Sequence, residues 1–554
     1  MVVNAVAQAI SDVSGLEPDR VAEDIEIPPE VDMGDYAYPC FALASERGES
    51  PVSIASDMAD ALDDAGFESV RSQGPYVNIV LHPSQQLEAA RGSVEVDAET
   101  VVVEFPSPNT NKPLHVGHAL NMAIGQSTAN ILESVGHNVI TENLYNDRGI
   151  HISKSMLAYQ KEGEGETPAA SGKKPDHFVG DYYVRYGELV DEDPSLADEA
   201  QDMLQRWEDG DESVRALWDR MRGWCLTGIK ETLSDFDVGI DKDRFESDIW
   251  EDGRDIVRDG LDDGVFKEDD DGAVVADLED AGLGTKHVLR SDGTTVYMTQ
   301  DIGLANHRAE DYDLDRIVHV VGQEQEYHFS CLFEILDRLG YGFADKLHHL
   351  SYGLLRLSEG TMSSREGTAI HADTVREEMI RLAEDEVRDR YDELDEEDVE
   401  RRAETIGMGA LKFYLLRTDP SRDVVFNPEE SLSFTGETGP YVQYTYARIQ
   451  SILAKSEPVN GGLDTLTSSE ERGVLRLLMQ YPDRVERAAK AYNPSVIANH
   501  ALQLAQAFNE FYHEHRVLVD DEDTRGARRQ LCVAVADQVE QCLSLLGIGV
   551  VEEM

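Results

Sequence analysis

Val101-Val102-Val103-Glu104-Phe105-Pro106-Ser107-Pro108-Asn109-Thr110-Asn111-Lys112-Pro113-Leu114-His115-Val116-Gly117-His118 runs from an apolar, β-branched stretch through a loop into the start of a helical pattern. An unbroken apolar run marks a strand buried on both faces, as in a parallel sheet. The prolines and asparagines that follow disfavour helix and favour turns. Beyond His118, Leu120, Ile124, Thr128, Ile131 and Leu132 fall on one side of a helix, and Gly136 stands where a left-handed cap would end it. Asn138 to Thr141 then returns as a second strand. The unit is β-loop-α-β, an α/β pattern whose loop and helix N-terminus can seat a phosphate.

The three-glycine dinucleotide fingerprint is absent. Two imidazoles, His115 and His118, stand at the helix start instead, with Gly117 between them leaving room for a nucleotide ring. Such a pair can donate to triphosphate oxygens. Spacing alone equally allows structural or metal-binding histidines. Two histidines fall short of a closed zinc site, however, and no cysteine lies close in sequence.

The segments Glu104 to Asn109 and Lys112 to His118 resemble the signature of class I aminoacyl-tRNA synthetases, and within that class the arginyl enzymes. Asn143-Leu144-Tyr145-Asn146-Asp147-Arg148-Gly149 is similar to the same family, which usually has Trp where this chain has Arg148. The resemblance runs nearly end to end. It implies a Rossmann-like parallel-sheet catalytic domain over about 100-400, with an insertion over about 150-290. A small α/β N-terminal domain (1-85) and an all-helical anticodon-binding domain (405-554) complete the expected organisation.

Composition sets outer bounds. The 554 residues suffice for three or four domains. No apolar run reaches the roughly 18 residues of a membrane span, and the N-terminus lacks a basic-then-apolar signal, so a cytoplasmic location is expected. The five cysteines are scattered without metal or disulfide spacing. Charge is the odd feature: 110 Asp+Glu oppose 49 Lys+Arg, a net −61, and only 13 of the basic residues are Lys. The acids are spread along the chain, so an acidic tail does not explain them. A lysine-poor acidic surface resembles haloarchaeal proteins, which work in molar salt. A charge of −61 argues against a nucleic-acid partner unless surrounding salt screens it.

Along the chain, helices are expected at 2–10 and 51–62, closed by a turn and strand over 74–81. The insertion predicts helices at 178–188, 197–207 and 214–236. Thr294 to Thr299 reads as a strand running into Gln300-Asp301, Ile317 to Val321 as another, and Tyr327 to Leu339 as a helix. Gly360-Thr361-Met362-Ser363-Ser364-Arg365-Glu366-Gly367-Thr368 corresponds to the second class I signature. From about Ile406 the chain reads all-helical.

The resemblance implies ligation of L-arginine to tRNA-Arg through an arginyl adenylate, with ATP and Mg²⁺ as the substrate complex, no structural metal held by the protein, and a monomer. His115, His118, Lys112 and Arg365 are then catalytic. Gly117, Met362, Ser363 and Ser364 join them around ATP. Ser107, Asn109, Glu246, Tyr297, Asp301 and Gln325 are expected to bind arginine, since a planar guanidinium calls for carboxylates accepting two bonds at once. Tyr76, Asn78, Tyr441, Gln443 and Tyr444 are candidate tRNA contacts by stacking or hydrogen bonding. Two departures stand out: Thr361 and Glu366 occupy positions where the family usually has Lys. Other readings are a class I synthetase for another amino acid, a nucleotidyltransferase of the superfamily, or a non-catalytic tRNA-binding relative. The cysteinyl enzyme needs a zinc site that scattered cysteines cannot build. A nucleotidyltransferase has no use for a 150-residue helical tail. A non-catalytic relative is expected to have lost His115, His118 or the Met362-Ser363-Ser364 loop.

Overall fold

The computed structural model describes residues 2–94, 96–358, 370–391, 394–459 and 461–553. Its sheet unit spans Val96–Leu432 together with Tyr492–Ser495. The apolar run forms strand β1, Thr100–Glu104, in which Val101, Val102 and Val103 are 0% exposed. Burying each such side chain favours folding by about 1.5–3 kcal/mol. Helix α1, Val116–Ser134, buries Leu120, Ile124, Thr128, Ile131 and Leu132, and Gly136 takes a positive φ of 104° beyond it. Strand β2, Asn138–Tyr145, runs four residues past the expected end. Helix α2 (Ile150–Glu162), strand β3 (Lys242–Phe245), helix α3 (Glu246–Asp262) and helix α4 (Tyr297–Asp311) follow. The fold closes with β4 (Arg316–Gly322), α5 (Glu326–Arg338) and β5 (Leu347–Tyr352).

The strands lie in the order β5-β4-β1-β2-β3, every pair parallel. From β1 the chain first builds outward to β3, then crosses back to lay β4 on the other side of β1. Open α/β sheets bind ligands outside the C-terminal strand ends at such a reversal. The loop bearing His115 leaves β1 at that point.

One expected strand is not formed. Thr294 to Thr299 is a short lead-in, bridged Leu289 to Thr295, and α4 begins at Tyr297. Asp292 turns the chain by accepting from Thr294 N and Oγ1 at 2.9 and 2.7 Å, and the Thr299 hydroxyl caps the helix by accepting from Val296 N at 3.0 Å. These local bonds outweigh the strand preference of β-branched residues. Between β2 and β3 lie helices Pro175–Glu192, Leu196–Glu208 and Glu212–Asp235. Helix Glu396–Leu416 spans the boundary expected near residue 405 and belongs to the sheet unit.

The second unit joins the N-terminal segment to Ser433–Ala491 and Val496–Met554. Its antiparallel sheet places Tyr76–Val80 between Tyr36–Pro39 and Ser69–Gln73. The helices Gly439–Ala454, Ser469–Met479, Tyr481–Ala491, Ser495–Glu514 and Glu522–Leu545 follow it. Arg472 Nη1 of the second donates to the Leu81 carbonyl at 3.1 Å, and Arg476 donates to that of Pro28. All five cysteines are free and buried. Among the described residues no helix is long and apolar enough to cross a membrane.

Candidate active site

At the start of α1 the two imidazoles lie 4.0 Å apart, centroid to centroid. His115 Nδ1 accepts from Gly117 N at 3.1 Å, and His118 Nδ1 accepts from His115 N at 3.0 Å. Both rings therefore carry their proton on Nε2. Burial, then the charge of Lys112 and His371, holds His115 down to about 4, and burial with His115 and Lys112 holds His118 well below its ordinary value. At neutral pH each is an uncharged single donor. A Cβ on Gly117 would come within 2.9 Å of the His115 ring, so the glycine first makes room for its neighbour's imidazole. The chain just after the second signature is tied here: Val116 N donates to Ile370 O at 2.8 Å and Ala372 N to Leu114 O at 2.9 Å. Met362, Ser363, Ser364 and Arg365, with Thr361 and Glu366, lie outside the described residues.

Below these loops a row of charge crosses the buried sheet. Glu104 is register-paired with Glu142 on one side and with His319 on the other. Arg308 of α4, 1% exposed, donates Nη2 to Glu104 at 2.9 Å and Nε to Glu142 at 2.6 Å. His319 Nδ1 donates to Glu104 at 2.8 Å, and Arg244 Nη2 to Glu142 at 2.8 Å. Burial alone would raise both carboxyls; Arg308 and its companions outweigh it and hold them below the usual range. The other Glu104 oxygen accepts from Ser107 Oγ at 3.0 Å, and Ser107, at φ 53°, donates its N–H to Asn143 at 3.1 Å. The row thus anchors the loop on which Ser107 and Asn109 sit.

A cavity of about 660 Å³ opens beside this loop. Asn109, Glu246 and Tyr297 line it, so three residues expected for arginine share one wall system. Glu246 is 4% exposed; burial pushes its carboxyl up to about 8, Arg148 opposing and Asp147 and Asp301 adding to the rise. Tyr297 is 66% exposed, at the mouth. Asp301, one turn along α4, lines a separate small cleft with Glu104 and His319 and accepts from His328 Nε2 at 2.6 Å. Gln325 is exposed on the turn Gln323–Gln325. Lys112 Nζ lies 6.0 Å from the Tyr183 ring centroid. Sequence reasoning missed His328, and it noticed Arg148 only as a departure from the family; neither stands in a local pattern that announces a partner.

The tRNA candidates divide. Tyr76 is half-buried, edge-on to Phe41 at 5.8 Å, and Tyr444 is half-buried with the Arg448 guanidinium 4.7 Å from its ring. Asn78 is 5% exposed and donates to Gln73 at 3.1 Å, and Gln443 is 0% exposed and donates to Gly549 O at 2.8 Å. Those two amides are spent inside the fold, because a middle strand and an inward helix face leave them no surface. Tyr441 OH accepts from Asn509 at 3.0 Å. Among the described residues, Asp176, His177 and Asp373 converge as would-be metal ligands, but Lys174 Nζ already meets Asp373 at 2.8 Å.

A parallel sheet with two backbone-oriented histidines at its switch point fits the catalytic domain of a class I aminoacyl-tRNA synthetase. Comparison with known proteins narrows this. Three family models match in succession: Arginyl tRNA synthetase N terminal domain over residues 1–81, tRNA synthetases class I (R), catalytic domain, over 79–428, and DALR anticodon binding domain over 442–554. The chain is 41% identical to the arginine–tRNA ligase of Treponema pallidum, covering 100% of this chain and 98% of that one. It is 43% identical to that of Bacteroides fragilis over 83% of this chain and 82% of that protein. The Thermus thermophilus arginyl-tRNA synthetase structure superposes with a TM-score of 0.80 at 26% identity, covering 100% and 99% of the two chains. The chain belongs to the arginyl-tRNA synthetase family and is an arginine–tRNA ligase.

Proposed function

We infer that this protein joins L-arginine to tRNA-Arg in two steps on the sheet's switch point, with the residues above in stated roles. The arginine carboxylate attacks the α-phosphorus of ATP, pyrophosphate leaves, and a ribose hydroxyl of the terminal tRNA adenosine then takes the arginyl group and releases AMP. Such chemistry needs in-line positioning and donors aimed at developing charge rather than covalent help. The Nε2–H groups of His115 and His118 supply donors to the phosphates and ribose, Lys112 adds a cation, and Mg²⁺ arrives with ATP. Met362, Ser363, Ser364 and Arg365 hold the departing pyrophosphate. Glu246 and Asp301 accept from the guanidinium, Tyr297 covers it, and Ser107, Asn109 and Gln325 hold the α-amino and carboxylate end. Tyr76, Tyr441 and Tyr444 are the half-buried aromatics offered to tRNA. The protein acts as a cytoplasmic monomer, in concentrated salt. The observation that carries this reading is the histidine pair, in which backbone N–H groups occupy both Nδ1 atoms and leave each ring its Nε2–H to donate. Charging of bulk tRNA, screened across all the standard amino acids in high salt, should respond to arginine and to no other. Charging with a different amino acid would overturn it.

A further inference from the structure

Arg148 sits on the wall of the large cavity with its side chain 5% exposed. Asp147 fixes the loop that carries it: the carboxylate accepts from Ser247 N at 2.9 Å, from Ser247 Oγ at 2.8 Å and from Arg222 Nε at 2.6 Å, while the Asp147 carbonyl accepts from Trp218 Nε1 at 2.6 Å. The loop is thereby nailed to the first turn of α3, beside Glu246. The Arg148 guanidinium lies 4.7 Å from the Trp250 ring and 5.8 Å from that of Trp207, so two aromatic faces hold it. Its Nη2 pairs closely with Glu208, whereas Nη1 stands 3.5 Å from Glu246 Oε1. That same Oε1 accepts from Gln300 Nε2. Among the described residues the hydrogen bond and the ion pair to Glu246 both fall on Oε1, and Oε2 has neither.

We propose that Arg148 is a positioning residue for arginine: a resident guanidinium, tethered on Glu208, that supports the negative charge of Glu246 while leaving an oxygen of Glu246 open to the substrate's own guanidinium. The proposal rests on the reading of Glu246 as an arginine acceptor. The geometry separates tether from support. Arg148 is bound by Glu208 and caged by tryptophans, so it does not swing across to saturate Glu246. At 3.5 Å it still lies well inside the range where charges act through a protein interior. Glu246 needs that support. Asp147, itself paired with Arg222, and Asp301, itself paired with His328, both face it and disfavour its charge. Tyr297 adds an ionisable hydroxyl from α4, and Arg290 a cation from the cavity rim. A protonated Glu246 would offer a hydroxyl donor to a ligand made of donors.

The test is the arginine KM for tRNA charging, at saturating ATP and tRNA, as a function of pH, for the wild type, Arg148→Gln, Arg148→Lys and Glu246→Gln. Arg148→Gln should raise the arginine KM at least about tenfold near pH 7, about 1.4 kcal/mol, and the deficit should narrow by about pH 9 as Glu246 ionises unaided. The ATP KM should not move. Arg148→Lys keeps the charge but loses the fork that reaches Glu208 and Glu246 together, so near pH 7 it should recover only part of the deficit of Arg148→Gln. An unchanged KM in Arg148→Gln, a deficit of equal size at every pH, or a lysine variant as poor as the glutamine one would each overturn the proposal. Should Arg148→Gln fail to fold, the lysine variant decides alone: a raised arginine KM near pH 7 that narrows by about pH 9 upholds the proposal, and an unchanged KM or a deficit of equal size at both overturns it. Glu246→Gln separates the two readings: a normal arginine KM there removes Glu246 from the pocket, whereas an impaired Glu246→Gln beside a normal Arg148→Gln removes only Arg148.

Discussion

Asp301 and Glu246 are both acids near one site, and their surroundings set them apart. Asp301 is partnered by His328 at 2.6 Å and lies between α4 and α5; Glu246 is buried at the cavity wall. Asp301→Asn keeps the shape, removes the charge and turns one acceptor into a donor facing His328 and a guanidinium. Charged hydrogen bonds lost in this way are worth roughly 1.5–3 kcal/mol, so the arginine KM should rise by one to two orders of magnitude. The ATP KM and the melting temperature should hold. An unchanged arginine KM in steady-state charging would place the guanidinium elsewhere. Glu246 makes a prediction for the wild type. Its carboxyl is pushed up to about 8, so it is largely protonated below that pH and charged above it. The arginine KM should therefore fall as pH rises through about 8, with ATP affinity on a different profile.

At the level of elements, the N-terminus of α1 and the centre of the sheet answer to different substitutions. Gly117→Ala would set a methyl 2.9 Å from His115 Cε1 and 3.0 Å from its Nδ1. The ring must move, and the Gly117 N to His115 Nδ1 bond that sets its tautomer goes with it. The ATP KM should rise about tenfold, roughly 1.4 kcal/mol, while the arginine KM moves little. Arg308→Met acts on stability instead. It leaves Glu104 and Glu142 in the sheet interior with one counter-charge fewer, a loss of about 3–5 kcal/mol by urea unfolding near pH 7. Both carboxyls are held below their ordinary value of 4.5, so their stabilising contribution is fully present above it and is lost as pH falls through the depressed values. The wild-type advantage over Arg308→Met should accordingly shrink on acidification. Equal stability of the two proteins near neutrality would mean the row of charge is not structural.

Across the whole molecule the dominant quantity is −61. Many surface acids are met by arginines a turn away, as Arg381 is by Glu378 at 2.7 Å and Asp385 at 3.0 Å, yet the excess of acids cannot be paired. Exposed pairs contribute about 0–1 kcal/mol each, too little to offset the self-repulsion of the rest. At 1 M salt the screening length falls to about 3 Å, which removes that repulsion and the barrier to a polyanionic tRNA. Charging activity and melting temperature should both rise from dilute buffer to molar KCl. Full activity and stability in dilute buffer would remove salt adaptation as the reason for the composition.

The order of strands and helices around β1, α1 and β2 was legible because its signals are local. A buried strand shows as a β-branched run, a helix as 3.6-residue spacing, and its end as Gly136. The arginyl family was legible for the same reason, from contiguous segments around His115 and Arg148. Thr294 to Thr299 misled because strand preference is weak, and hydroxyl and carboxylate caps from Thr299 and Asp292 decide such a segment. In a chain with 110 acids, residue type says nothing about which of them are buried. Glu104 and Glu142 acquire their character from Arg308, Glu246 acquires its own from burial that Arg148 opposes, and Asp301 is partnered by His328. Burial and opposing charge belong to neighbours drawn from distant parts of the chain. Only the crossing of β4 back beside β1, and the packing of α3 and α4, brought those neighbours within hydrogen-bonding range.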